Sequence, residues 1–388
     1  MVVVVANDWH SALVPMFIRA EREANPSKWR KTKTVLLVHN AAFQGRFEKE
    51  HDLASVFGVP QHYIDSVTLK MPLKVGKYNG KVSCVNTMAA GLRYADRVLT
   101  VSPTYAREVS SDPEKSVELE KYFTKGKVTG ILNGVKEVVS PMDEEFVKKT
   151  KMLETYGAEN ASAAKQRLKD AYREESGLVE SKGPMISFIG RLDAQKGYDL
   201  LLEALEVVLE DTELQIVIAG AGRTDLVRKT KVLEKKYPSK IFYAGWMGPE
   251  RYAMLAACDY TLLPSRWEPC GLVQMEAMRL GTLPIVAPTG GLKDTVVDGV
   301  NGLWTDGEMS VESEIDPKSV RAIAKALRRA AKLHTGSPAK EDTMKRAAMA
   351  AAAEFTWNNS ALQYEKLFKE MGVVGVDMPV KSVTLEKE

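Results

Sequence analysis

Short apolar runs separated by longer amphipathic stretches dominate the second half of the chain. Runs at Met185–Ile189, Leu214–Ala219, Ile241–Ala244, Tyr260–Pro264, Leu283–Ala287 and Gly302–Trp304 read as strands. Helical spacing fills the intervals near Asp199–Glu210, Asp225–Lys236, Pro249–Ala257 and Gly271–Leu280. Such alternation predicts an α/β fold with a parallel, doubly wound sheet. After the last strand, Asp316 and Pro317 supply an N-cap and a first helical residue, and Val320, Ile323 and Leu327 mark one apolar face. The first half repeats the theme, with strands at Val2–Ala6, Thr34–His39, Arg97–Val101 and Val128–Leu132. Its helices fall near Ser11–Ala20, Asn86–Tyr94 and Pro103–Val109, and the stretch Lys70–Lys81 reads as a loop. Near the end, Trp357, Ala361, Tyr364 and Phe368 recur at helical spacing.

At 388 residues the chain exceeds one ordinary domain. The composition turns polar and charged around Ser140–Lys165, which places the interdomain connection there. The predicted layout is a Rossmann-like domain over 1–140, a second over 141–355, a helix over 356–372 packing back toward the first domain, and a tail over 373–388. Two such domains are expected to face a cleft. Val2–Ala6 reads as a buried strand with nothing before it, so the chain reads as a fragment or an incomplete gene model, its first domain incomplete at its start.

Charge changes this picture little. The formal net charge is +3 with acids and bases interleaved, a solvated surface rather than a nucleic-acid or membrane patch. No apolar run approaches the roughly 20 residues that cross a bilayer. Cys84, Cys258 and Cys270 are odd in number and widely spaced, which suits a reducing compartment, and no metal-ligand spacing is present.

In doubly wound sheets ligands sit outside the carboxyl ends of the strands, so polar residues directly after strands carry the chemistry. Asn7-Asp8-Trp9-His10 and His39-Asn40-Ala41-Ala42-Phe43-Gln44-Gly45 follow the first two strands. A lone histidine there is more often a cap, but two polar clusters on successive strand ends favour function. Asn40 and Gln44 can share hydrogen bonding to sugar hydroxyls beside His39. Arg191 and Lys196 lie in the loop Gly190–Gly197 after the strand Met185–Ile189, and two fixed cations suit a diphosphate. Pro264-Ser265-Arg266-Trp267-Glu268-Pro269-Cys270-Gly271-Leu272 sets the carboxylate of Glu268 at a constrained turn where a helix begins, and Glu276 follows eight residues later. Thr289-Gly290-Gly291 opens another helix, a ready anion site. Gly220-Ala221-Gly222 resembles a dinucleotide fingerprint, but Asp225 stands where the third Gly belongs and no acid ends the next strand. Hydride transfer is therefore disfavoured.

These motifs, with Ala95-Asp96-Arg97, Thr100–Ala106 and Asn133-Gly134-Val135, resemble the starch and bacterial glycogen synthases from Val2 to about Gly372. His39–Phe47 and Met371-Gly372-Val373 look most like the granule-bound starch synthases. The resemblance implies the GT-B fold and transfer of glucose from ADP-glucose or UDP-glucose to the non-reducing end of an α-1,4-glucan, with configuration retained. It implies no metal or other cofactor, a starch granule or glucan partner, and residence in a plastid, cytosol being the alternative. By position, Arg191 and Lys196 would bind the donor phosphates, and Glu268 would stand near the reacting sugar. His39 would help hold that sugar. Gly271 and Thr289–Gly291 would cradle the donor, and Asp8, His10, Asn40, Gln44 and Asn133 would line the acceptor cleft. Two departures stand out. The family's lysine-glycine-glycine segment lies upstream of Met1, and Glu276 completes a Glu-x7-Glu spacing of the wider glycosyltransferase family, where the second Glu contacts the ribose. The alternatives are a glucan-binding homologue without catalysis and a related transferase with a small sugar acceptor.

Overall fold

The computed structural model describes residues 1–48, 52–75, 78–125, 128–312 and 315–373. The chain separates into two compact units, one formed by residues 1–132 with 360 onward, the other by Asn133–Asn359. The division falls at Leu132/Asn133 rather than near residue 140, and again inside the helix Trp357–Glu370. The polar stretch Ser140–Lys165 therefore lies within the second unit. It is polar because the helices Glu144–Thr150 and Ala161–Ser176 each turn one face to solvent. The predicted tail beyond Val373 lies outside the described residues.

In the first unit β1 (Val2–Asn7), β2 (Thr32–Val38), β6 (Arg97–Thr100) and β7 (Val128–Gly130) form a parallel sheet in that order. β3 (Arg46–Glu48), β4 (Thr68–Val75) and β5 (Tyr78–Asn86) form a separate antiparallel sheet, order β3-β5-β4. Two expectations are corrected here. Lys70–Lys81 is not a loop: its described residues belong to the β4–β5 ladder, and the period-two alternation Leu69, Met71, Leu73, Val75 is the sequence signal of that strand. Val2–Ala6 does form a strand, but at the sheet edge, with Val2 and Val5 exposed and only Ala6 buried.

In the second unit β8 (Met185–Ile189), β9 (Gln215–Ala219), β10 (Ile241–Gly245), β11 (Tyr260–Leu263), β12 (Leu283–Val286) and β13 (Leu303–Trp304) form one parallel sheet. Its order is β10-β9-β8-β11-β12-β13. The continuous apolar strands are buried on both faces, as parallel sheets with helical crossovers require. Ile186, Ile216, Leu262 and Ile285 centre one core, covered by the helices Tyr198–Asp211 and Pro317–Gly336. Asp316 caps the latter by accepting from the Lys318 and Ser319 amides. Strand order reverses between β8 and β11, so the crevice expected to take a ligand lies above the carboxyl ends of these two neighbours.

Candidate active site

Both loops leaving that switch point carry the charged motifs. The chain leaves β8 through Gly190, whose amide donates to Ala219, and Leu192 hydrogen-bonds Ala221 of the next loop. Asp193 accepts from the Lys196 amide at 3.0 Å, closing a tight turn. Gly197 follows with φ +63, and a Cβ there would collide with the carbonyl oxygen of Pro264. The two loops thus touch backbone to backbone, which requires glycine at that position.

Contact at this distance brings the side chains together. Lys196 Nζ lies 2.5 Å from Glu268 Oε2, and the Ser265 hydroxyl donates to the same oxygen at 3.1 Å. The Glu268 side chain is only 7% exposed, whereas that of Lys196 is 25% exposed, so the cation forms the accessible side of the pair. Arg191 holds Asp193 at 3.2 Å and donates to Gln195 Oε1 at 2.6 Å, its side chain half exposed. Beneath them, Arg266 is buried and bidentate to Asp199, at 2.6 and 3.0 Å, and also donates to the Ala194 carbonyl at 2.6 Å. This arginine ties the loop after β11 to the loop and helix after β8. Sequence reasoning assigned roles to neither Arg266 nor Asp199; an arginine between a strand end and a carboxylate turn was the available signal.

The remaining residues expected to hold the donor close around Glu268. Gly271 takes φ +79 to start the helix Leu272–Arg279. Gly291 donates its amide to the Glu268 carbonyl at 3.0 Å, and a Cβ on it would strike the Cys270 carbonyl. Gly290 adopts φ +49, and Thr289 is buried beside it. Asn133, predicted on the first domain, belongs to the second unit, where its backbone amide faces the Cys270 sulfur. Burial pushes that thiol up to about 12, so it is inert at neutral pH. Glu276 lies about one turn along the same helix. It accepts from the Tyr252 hydroxyl at 2.7 Å, with Arg251 at 3.5 Å and stacked over the Tyr252 ring at 4.2 Å. Burial raises its carboxyl above the ordinary range against the pull of these partners.

In the first unit the residues after β1 and β2 also meet. Asp8, with φ +50, accepts from the His39 amide at 2.7 Å. His39 Nε2 lies 3.1 Å from Asn7 Oδ1. A left-handed conformation at a non-glycine is strained, which is common where side chains are held for function. His10 is exposed and stacks on Trp9 with centroids 4.0 Å apart. Asn40 accepts from the Ala42 amide at 3.0 Å, a local turn bond. Gln44 departs from its expected part in sugar binding. It is buried, its amide donating to Ala41 and Val117 and its oxygen accepting from Arg46 and Asn86. With donor and acceptor both engaged inside the fold, it holds the strand-end loop in place.

Among the described residues one set has metal-ligand proximity: Asp259, His334 and Glu341. Asp259 is, however, held by Lys169 at 3.0 Å and Lys345 at 3.6 Å, and Lys345 reaches Glu341 at 2.7 Å. Two ammonium groups already occupy the carboxylates, so the set is an internal ion network and does not suit a cation. It sits at the amino end of β11, away from Glu268. The glycines 220 and 222, set aside as a dinucleotide motif, instead pack against Gly190 and Leu192, where added Cβ atoms would strike backbone.

Comparison with known proteins places the geometry in context. Family models match as a starch synthase catalytic domain over residues 1–125 and as glycosyl transferases group 1 over 169–348. Granule-bound starch synthase 1, chloroplastic/amyloplastic, of Arabidopsis thaliana is 36% identical over 382 residues, covering 96% of this chain and 59% of the relative. The Pisum sativum protein of that name is 35% identical, covering 96% of this chain and 60% of the relative. The chain thus spans about three fifths of the length of these curated relatives. Among solved structures, the catalytic domain of starch synthase IV from Arabidopsis thaliana, bound to ADP and acarbose, is similar with TM-score 0.75 and 26% identity. That match covers 95% of this chain and 72% of the other. A sucrose-phosphate synthase from Thermosynechococcus elongatus shares the fold alone, at TM-score 0.56 and 19% identity, covering 95% of this chain and 73% of the other.

Proposed function

The chain belongs to the starch synthase family of GT-B glycosyltransferases, and from that premise we propose that it is a retaining glucosyltransferase. It moves glucose from ADP-glucose to the non-reducing end of an α-1,4-glucan. The observation that carries this reading is the Lys196–Glu268 pair at the switch point of the second sheet, cation outward and carboxylate buried. As the bond from glucose C1 to the diphosphate oxygen breaks, negative charge grows on the leaving ADP. Lys196 and Arg191 are fixed cations in one loop and stabilise that charge more in the transition state than in the ground state. The lysine ammonium has three donors, so it can keep Glu268 while contacting phosphate. Glu268 then stands beside the glucosyl group, where positive charge develops. The acceptor 4-hydroxyl forms the new bond to C1, and its proton passes to the departing phosphate.

Gly271 and Thr289–Gly291 offer backbone amides to the donor, and Glu276 offers its carboxylate to the ribose hydroxyls. Asp8, His10, His39, Asn40 and Asn133 serve the sugar and acceptor in this reading. No metal is required, since the two cations neutralise the leaving group. Starch synthase IV with bound ADP favours the adenine nucleotide over UDP-glucose. The chloroplastic and amyloplastic relatives favour a plastid and a starch granule as its setting.

The test is transfer of labelled glucose from ADP-glucose or UDP-glucose to amylose, maltose or fructose, with and without EDTA. Glu268→Gln and Lys196→Ala are each expected to lower transfer on the order of 100- to 1000-fold. Unchanged turnover in both variants overturns the site. Granule binding with no transfer from either donor supports the glucan-binding homologue, and product on fructose alone supports the small-acceptor reading.

A further inference from the structure

The chain passes between its two units twice, at Leu132/Asn133 and at Asn359/Ser360. The segments just inside the second unit at these crossings run side by side. The Val135 amide donates to the Phe355 carbonyl at 2.9 Å, and Val135 and Thr356 form a parallel β-bridge. A Cβ on Gly134 would stand 2.1 Å from the Trp357 backbone nitrogen, so only glycine allows this approach. The Asn358 side-chain amide adds a bond to the Glu137 carboxylate at 3.3 Å.

A third element holds both segments at once. Arg279 is the last residue of the helix Leu272–Arg279, which begins beside the Glu268 turn. Its guanidinium donates to the Lys136 carbonyl at 3.1 Å on one segment and to the Phe355 carbonyl at 3.2 Å on the other. Longer contacts of 3.4 Å reach Val139 on the first and Ala352, in the last turn of the helix Pro338–Ala353, on the second. Arginine suits this place because its planar fork carries five donors, and because a cation is favoured at a helix carboxyl end. At the other end of the helix, the Asn133 amide faces the sulfur of Cys270, two residues from Glu268. The first segment therefore follows the helix from the Glu268 turn to Arg279, where the second is also bound. Every group in this arrangement belongs to the second unit.

Bonds from a guanidinium to backbone carbonyls commonly do no more than stabilise a fold. This set joins the helix that starts at the carboxylate turn to the two places where the chain leaves for Asp8 and His39. In the transfer reaction proposed above, on which this inference rests, residues on both sides of the crossings serve one sugar. Misplacement by about 1 Å can cost on the order of 100-fold in rate. We propose that Arg279 is a positioning residue for glucosyl transfer, fixing both exits of the chain from the second unit against the helix of the Glu268 turn. About 10 Å of helix separate it from Leu272, at 1.5 Å per residue. It acts through the two segments and not on the nucleotide, so its removal slows transfer without loosening ADP.

Transfer of labelled glucose from ADP-glucose to amylose by the full chain, with ADP affinity from titration calorimetry, tests this. Arg279→Met is expected to lower kcat about 10- to 100-fold. Its ADP Kd and ADP-glucose KM should stay within about twofold of the wild type, a split that general loss of structure does not produce. Arg279→Lys restores the charge at the helix end, but a compact ammonium cannot bridge both segments, so kcat should stay within about threefold of Arg279→Met. Gly134→Ala parts the same segments from the other side and should lower kcat similarly, the double variant being no slower than the slower single one. Unchanged kcat in Arg279→Met, full recovery in Arg279→Lys, or multiplied losses in the double variant overturns the proposal. A loss of ADP affinity matching the loss of kcat overturns it too.

A second measurement needs no turnover. Bound ADP should slow hydrogen exchange over residues 135–139 and 352–357 in the wild type and not in Arg279→Met. If ADP leaves exchange there unchanged in the wild type, the link from Arg279 to the nucleotide site is refuted. If that difference is seen without any transfer, the transferase reading falls and the link stands; if the wild type binds no ADP, both fall.

Discussion

Replacing Asp199 by Ala should destabilise the second unit more than replacing both members of its ion pair. Arg266 is among the most buried side chains of the protein, 1% exposed, and its guanidinium is matched oxygen for nitrogen by Asp199. Asp199→Ala strands that cation in the interior, a change that costs about 3–5 kcal/mol where a buried pair is broken from one side. For a unit of this size the melting temperature falls by about 2–4 °C per kcal/mol, giving a drop of roughly 6–20 °C. Replacing both, as Arg266→Met with Asp199→Leu, removes the stranded charge and leaves the Ala194 carbonyl without that donor. The double variant should then lie about 1–3 kcal/mol below the wild type. Thermal and guanidinium melts of the four members of this cycle give the coupling directly. Glucose transfer should fall in the double variant despite its recovered stability, because Glu268 lies two residues from position 266, in a loop no longer tied to Ala194 and Asp199. The reasoning fails if Asp199→Ala costs under about 1 kcal/mol, or if single and double variants melt together.

Two other perturbations probe different parts of the fold. Gln44→Leu deprives Arg46 and Asn86 of their shared acceptor, so it should cost about 2–4 kcal/mol in melts while leaving ADP affinity unchanged; a raised acceptor KM at unchanged stability would instead return Gln44 to substrate binding. Lys165 is buried, donating to Ala256 and Thr282, and burial followed by the neighbouring Lys345 charge pulls its pKa down to about 7. The unfolded chain holds that proton up to about pH 10.4, so wild-type stability should rise with pH between about 7 and 10 relative to Lys165→Met. Parallel stability–pH curves for the two proteins across that window would refute the assignment.

The motifs of the second unit were legible because each follows a short apolar strand directly, and strand ends in a doubly wound sheet converge on one crevice. Gly190–Gly197 and Pro264–Leu272 are separated by some 67 residues in sequence yet meet through Gly197 and Pro264. Polarity misled at Gln44, since a buried amide and a sugar-binding amide look alike until their partners are seen. Lys70–Lys81 was misread because its lysines outweighed the alternation beneath them. The network of Asp259 with Lys169 and Lys345 was invisible for another reason: it joins positions far apart in sequence, with no spacing rule between them. Asn133 lay too close to the division between the units for composition to assign it.

The first unit is completed by residues from 360 onward, after the whole second unit has been synthesised. Ser360 donates to the Leu132 carbonyl at 2.5 Å, and Leu367 and Met371 are buried. On the ribosome, therefore, the sheet of the first unit emerges before the second unit but must wait for the helix Trp357–Glu370, while the second unit can finish folding from a contiguous stretch. A premature stop at Asn359 would leave the second unit intact and expose the first to proteolysis. Limited digestion of nascent-length fragments would then release the second unit as the surviving core, and the order of synthesis and the order of folding would run in opposite directions.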